Sequence, residues 1–545
     1  MTWLVPLACL ACNGTPADGA AASEDGATES VGDSAGDTSA DGGSDTGAGD
    51  EGEGDDESDE DGSDDGDDGP VVPPCEATHF GSDATLWALP AAGTPLVSES
   101  FPTMGGSGQC DPRSTGFNFS TLDLAADGVP DLVITSACDD AGIGTDEWLV
   151  YDGGESGFSS DGSPWALPAP PVPLLEEAFA RLGGSRLCES MTTGFNYTTR
   201  DLDSDGAVDL VVTSACDDAE VGTDHWLVYA GGSGGFASRP MEWTLPAPPP
   251  ELAIEPFATT NGVTLCSLTQ NFRYATLDLT ADGVNDLVVT SACDEAGVGT
   301  DHWLIYAGGS EGFASEPSLW ALPPAPTPLL SEPFVGLSGS FPCTPTPASF
   351  SFSTADLTGD GAIDLVVSAA CDEASVGTDH WLVYPGGAEG FAAEPVSWTL
   401  PASPFGLADE TLPTLAGGGL CGPSKTGFNY ATTDLTGDGS ADLVVTSACD
   451  DAEVGIDHWI VYPGGESGFE SKPATWGLPA VPTPKAGEAF PSLGGSGRCG
   501  SSTFGFNFTT TDLTADGLTD LVVTSACDET GVGTDHWLVY PGQCD

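Results

Sequence analysis

The chain predicts an all-β protein: a six-bladed β-propeller of four-stranded antiparallel blades, closed by the N-terminal strand and preceded by a disordered acidic stalk. Three observations carry this. A unit of about 78 residues recurs six times. Within each unit, short runs rich in Val, Trp, Tyr and Phe alternate with Gly/Pro/Asp turns, and helix signals are few. The first and last segments of the repeat region each hold part of one unit, so the ends are expected to complete a ring.

Residues 1–12, MTWLVPLACLAC, are apolar but too short to span a bilayer. Leu10-Ala11-Cys12 before Asn13-Gly14 resembles the lipobox of bacterial lipoproteins. That resemblance implies a signal segment and lipidation at Cys12, with Cys9 as a second choice. The expected location is the bacterial cell surface, lipid-anchored to an outer membrane, or the secreted fraction. Residues 13–70 are low-complexity Asp, Glu, Gly, Ser and Thr, with 21 acidic residues and no Lys or Arg between Asp18 and Asp68. Nothing there can bury a core, and like charges keep such a segment extended, so it reads as a stalk.

Residues 71–545 hold the repeats. One unit reads from Cys421. Gly427-Phe428-Asn429-Tyr430 opens a strand that ends near Asp434. Asp442 to Cys449 forms a second strand, and His458-Trp459-Ile460-Val461-Tyr462 a third. After the turn Pro463-Gly464-Gly465, Phe469 to Leu478 holds a fourth strand that includes Trp476. A Pro-rich connector leads to the next unit.

Between the first two strands lies a twelve-residue loop, clearest in DLTGDGAIDLVV (356–367). Asp stands at positions 1, 5 and 9 and Gly at position 6. Ca2+ takes several oxygen ligands at about 2.3–2.6 Å, from carboxylates alternating along a tight loop and a backbone carbonyl. Here the aspartates, with the carbonyl of Ala362, offer such a set, and Gly361 permits the positive φ that turns the chain. The metal-ligating residues are expected to be Asp123, Asp127 and Asp131; Asp201, Asp203, Asp205 and Asp209; Asp278, Thr280, Asp282 and Asp286; Asp356, Thr358, Asp360 and Asp364; Asp434, Thr436, Asp438 and Asp442; and Asp512, Thr514, Asp516 and Asp520. Position 3 varies: a carboxylate in Asp203, a hydroxyl in four copies, and nothing in Ala125. Affinity should therefore be highest at 201–209 and lowest at 123–131. Position 12 is Val367 and a strand follows, so the loop is not an EF-hand. The alternative is a metal-free hairpin held by Asx turns.

The chain stops just after a third strand, whereas Trp87-Ala88-Leu89-Pro90 matches the end of a fourth. The N-terminal segment should therefore supply the missing strand, and Cys75 and Cys544, flanking the chain break, should form a disulfide. The other repeat cysteines fall two per unit, as Cys110/Cys138, Cys188/Cys216, Cys266/Cys293, Cys343/Cys371, Cys421/Cys449 and Cys499/Cys527. Antiparallel pairing brings each couple to one end of a hairpin, so disulfides within repeats are expected, in an oxidising compartment. Metal ligation is the other option, disfavoured because no C-x-x-C spacing occurs in the repeats.

The opposite face carries acidic loops that end in Asp146, Asp224, Asp301, Asp379, Asp457 and Asp535. His225, His302, His380, His458 and His536 follow in five copies, and Glu147 in the first. A ring of Asp-His metal sites is one reading. The plainer one is that Asp closes the loop and His flanks the strand. No G-x-S-x-G, H-E-x-x-H or Walker loop is present. The arginines, Arg200 and Arg273 among them, break the repeat symmetry and mark where a unique anionic contact would lie. Trp87, Trp165, Trp243, Trp320, Trp398 and Trp476 recur once per blade and read as core rather than as sugar platforms.

The formal net charge is −75, from 85 acidic and 10 basic residues. That excludes nucleic acid as a partner, and a membrane surface except through a lipid anchor.

The pattern F-x-x-x-D-x-x-x-D-G-x-x-D-L-V-V, followed by W-x-V-Y-x-G-G-x-x-G-F, resembles FG-GAP/VCBS repeats, the units of the integrin alpha-chain head propeller and of many bacterial surface proteins. The resemblance spans roughly Cys75 to Asp545. It implies calcium in the hairpin between the first two strands of each blade. It also implies a role in adhesion or ligand binding, here expected as recognition of a protein or glycan; with no catalytic motif in the sequence, a monomer that is not an enzyme is expected. A secreted carbohydrate-active lyase or hydrolase on the same scaffold is the alternative, and a purely structural surface protein a third.

Overall fold

In the computed structural model, residues 77–91, 104–107, 117–136, 142–169, 183–184, 195–214, 220–247, 262–263, 272–291, 295–324, 338–340, 350–369, 375–402, 415–418, 428–447, 453–480, 493–496, 506–525 and 530–544 are described. Segments 1–12 and 13–70 lie outside them, and so does every cysteine except Cys544. The described residues form six antiparallel blades with almost no helix.

The first blade shows the plan. Phe117–Leu122 pairs with Asp131–Ser136, that strand with Glu147–Tyr151, and that with Ser163–Ala166. The second strand is buried along its whole length in all six blades. Its near-continuous apolar sequence follows from its position: a mid-blade strand packed on both faces has no solvent side to alternate with. Leu132 and Ile134 point into one cluster with Trp537 and Val539 of the sixth blade, and Val133 points into another with Leu210 and Val212 of the second. Successive side chains of a strand face opposite ways, so one strand serves two inter-blade cores.

Six such clusters join blade one to two, two to three, and onward until six returns to one. The ring is closed by Thr85–Ala88, which pairs antiparallel with His536–Tyr540 and sets Trp87 opposite Trp537. The N-terminal segment is the fourth strand of the last blade, as expected from the sequence. Closure leaves no blade without its outer strand.

Each blade carries a Trp pair across its third and fourth strands, such as Trp226 and Trp243. A Phe from the following blade stands edge-on to both: Phe313 lies 5.5 Å from Trp226 and 5.7 Å from Trp243, centroid to centroid. Edge-to-face packing of this kind adds to area burial. Phe80, from the N-terminal segment, fills the same place against Trp459 and Trp476. The turn that delivers the Phe is continuous in five blades. In the sixth it is built from two chain ends, with His79 paired to Gln543 and to Gly477. The fourth-strand tryptophans are core residues, at most 4% exposed.

Two details differ from the expectation. The fourth strand is shorter, Ala474–Gly477, because Phe469 belongs to the turn and serves as the inter-blade plug. A short additional strand precedes the first in every blade, for example Gly105–Ser107 beside Asn118–Ser120. Its Gly-rich sequence has no strand propensity of its own; pairing with an exposed edge orders it.

Trp87→Ala should lower stability by about 3–5 kcal/mol, since it empties the closing core. Leu86→Ala, on the same strand but with Leu86 60% exposed, should change it by no more than about 0.5 kcal/mol. Denaturant unfolding of the two variants checks this; equal effects would contradict closure by this strand.

Candidate metal centres

The six loops sit between the first and second strands. Their ninth residue opens the second strand and is wholly buried: Asp131, Asp209, Asp286, Asp364, Asp442 and Asp520. Its carboxylate is held by backbone amides. Asp131 Oδ2 accepts from the Leu124 and Ala125 amides, both at 3.1 Å, and its Oδ1 accepts from the Gly153 amide at 3.0 Å. Gly153 lies in the turn between the third and fourth strands. A Cβ there would meet the Pro130 carbonyl oxygen at 2.4 Å, so only glycine lets that turn come close enough. The same contact recurs at Gly231, Gly308, Gly386 and Gly464, and at Gly542 across the chain break.

Position 1 organises the loop. Asp123 accepts from the amides of Asp127 and Gly128, and Asp127 accepts from Val129. Gly at position 6 has positive φ, as expected: +86° at Gly128 and +85° at Gly361. Position 4 is left-handed too, at Gly359 and Gly437 but also at Ala126, Ser204, Ala281 and Ala515. A side chain in that conformation costs about 1 kcal/mol, a local strain the sequence pattern did not reveal.

Burial raises the carboxyl pKa at positions 1 and 9 of every loop. Backbone amides oppose the rise without cancelling it. Asp209, Asp364 and Asp442 are pushed up to about 6, and Asp520 to about 7. Carboxylates so placed favour a partner that neutralises them, a proton or a cation.

The second loop differs from the rest. The residue-3 amide does not reach Asp209, and the Asp205 amide turns to Asp203 Oδ1 instead of to position 1. Asp201 Oδ1 is left buried; it lies near the Ser204 amide but accepts no well-formed hydrogen bond. Oxygens of Asp201, Asp203 and Asp209 come within 4.8 Å of one another, and among the described residues this is the one acidic group gathered tightly enough to hold a metal ion. Asp205 stands outside it, accepting from the Ala207 amide. In three other loops the position-3 hydroxyl, Thr358, Thr436 or Thr514, is buried with no hydrogen-bond partner. In the third loop, Thr280 lacks a well-aligned bond yet sits close enough to Asp286 to favour its charged form. Buried oxygens left unpaired at position 3, beside acidic groups, are donors that suit a hard cation such as Ca2+. In the first loop Ala125 adds none.

The opposite face behaves differently. His225 begins the third strand half-buried; its carbonyl accepts from the Gly222 amide, and the Asp224 carbonyl accepts from Leu245. The equivalent backbone bonds recur in all six blades. Asp and His act there through the main chain, and no Asp-His pair gathers into a metal-sized group among the described residues. Arg200 donates to Asn285 at 3.1 Å, while the Arg273 Nε is buried without a partner.

Of the residues expected to form disulfides, only Cys544 is described. Cys544 is disulfide-bonded, and its partner lies outside the described residues, where Cys75 also falls. Both members of each pair expected within a repeat lie outside them too: Cys110 and Cys138, Cys188 and Cys216, Cys266 and Cys293, Cys343 and Cys371, Cys421 and Cys449, and Cys499 and Cys527. No disulfide within a repeat is therefore seen among the described residues. The expectation that the second cysteine of each repeat ends the second strand falls outside the described residues. Cys12, the expected lipidation site, lies outside the described residues as well.

No protein-family model and no curated relative matches the chain. Among solved structures, the N-terminal domain of Nup159 is 11% identical over 70% of this chain and 97% of its own, with a TM-score of 0.17. An alpha-L-arabinofuranosidase from Lactobacillus brevis is 10% identical over 71% and 98%, with a TM-score of 0.14. Likeness this weak carries no functional argument.

The position-9 aspartates bind protons more tightly folded than unfolded. For Asp209, Asp364, Asp442 and Asp520 this contribution to stability is therefore full below about pH 3.8 and is lost as pH rises through about 6, or about 7 at Asp520. In chelator, the melting temperature should fall between pH 5 and pH 8, and calcium should shrink that fall. A melting temperature that rises with pH in chelator would contradict the assignment.

Proposed function

We propose that the protein is a calcium-stabilised binding propeller of the FG-GAP/VCBS kind, held at a bacterial cell surface through Cys12 and the acidic stalk, and recognising a protein or a glycan. The observation that carries the calcium reading is the unpaired buried oxygen at position 1 or 3 in four of the loops, with three carboxylates converging in the second. A cation there supplies the missing partner and offsets charge that burial makes costly. Disulfides at Cys75–Cys544 and within each repeat would add covalent closure.

Binding is favoured over catalysis by the repetition itself. The described acidic and His groups recur blade by blade in backbone-supporting roles, whereas a catalytic centre needs one asymmetric constellation. A rigid ring with fixed hairpins is suited to presenting loops to a partner.

A thermal melt of residues 71–545, unreduced, should show a midpoint many degrees lower in chelator than in calcium. An unchanged midpoint would remove calcium from the account. Glycan and protein arrays probed in calcium should then give binding without turnover on a polysaccharide panel; turnover would favour the enzyme.

A further inference from the structure

We propose that Asn285 is a positioning residue for the blade-two cation loop, and that through it the loops of blades two and three fill cooperatively. The inference rests on the cation reading above. Asn285 holds position 8 of the third loop. Its Nδ2 donates to the carbonyl oxygen of Asp201 at 2.8 Å, and its Oδ1 accepts from Arg200 Nη2 at 3.1 Å. One amide from blade three thus grips two consecutive residues of blade two, at the start of the loop with the converging carboxylates.

The clasp is specific to this pair of blades. Position 8 is Pro130, Val208, Ile363 or Ala441 in four other loops, none with a side-chain donor. Arg200 is likewise the one basic residue that precedes a position-1 Asp. A weaker form joins blades five and six, where the Thr519 hydroxyl lies 3.4 Å from the Asp434 carbonyl oxygen.

The consequence follows from what each end touches. Asp201 carries the buried, unpaired Oδ1, and Asn285 fixes its main chain. In its own loop Asn285 stands between Val284, at the carbonyl-donating position 7, and Asp286. Ordering the third loop around a cation orders Asn285, which lowers the cost of ordering Asp201. By linkage the effect runs equally in reverse. Asn285 also anchors the Arg200 guanidinium.

The test is calcium titration of the full chain by isothermal calorimetry after chelator stripping. Asp203→Asn should abolish the tightest class of sites, which identifies it as blade two. Asn285→Ala should weaken that class about five- to tenfold. Asp282→Asn, disabling the third loop, should weaken it by a similar factor in the natural chain and not further in Asn285→Ala. Asn285→Thr, which reproduces the Thr519 contact, should keep part of the affinity, and guards against a variant that folds poorly. A tightest class indifferent to Asn285, or weakened equally by Asp282→Asn with and without it, overturns the inference alone. Absence of any calcium heat in the natural chain overturns the cation reading itself.

Discussion

A buried carboxylate at the ninth loop position ties each blade together. It receives amides from its own loop and from the turn between the third and fourth strands, 22 residues away. A buried charge with no partner would be intolerable, and three amides, or two at Asp209, make it bearable. Two hairpin ends of a blade are thereby drawn to one point. The carboxylate is kept only partly satisfied, and its proton affinity rises accordingly. The loop is thus both a structural knot and a place where a cation would be stabilising.

Around that knot the rest is packing. Fully buried second strands feed alternate side chains into the cores on either side, and Phe–Trp plugs lock each blade to the next. The split sixth blade follows the same rules with two chain ends: Phe80 plugs and Gly542 reaches Asp520. Closure thus reuses the devices that join the other blades, with the pairing of His79 to Gln543 and Gly477 added where the two chain ends meet. Individuality lies in departures from the repeat, namely Asp203, Arg200 and Asn285, which cluster at the junction of blades two and three.

Much of the fold is legible in the sequence because the repeat is regular. The DLVV runs, the Trp in each fourth strand and the incomplete first and last units announce six blades and their closure. The Gly-rich leading strands are not legible, because edge pairing and not propensity forms them. Phe469 reads as strand because an aromatic after a Gly turn looks the same whether it pairs or plugs. The candidate loops are visible as Asp spacing, and the rank of the second loop follows from Asp203. The clasp is hidden, since Asn285 and Arg200 are 85 residues apart and meet through the ring. The fixed spacing from each ninth-position Asp to the P-G-G-type turn is the signal that could have revealed the knot; it never varies, as a contact requires.

The most direct test is anomalous diffraction from crystals grown in calcium. The account predicts the strongest peak among Asp201, Asp203 and Asp209, weaker peaks in the four Thr-bearing loops, and the weakest beside Ala125. Featureless density at all six loops would contradict it, leaving the ninth-position carboxylates as structural knots alone.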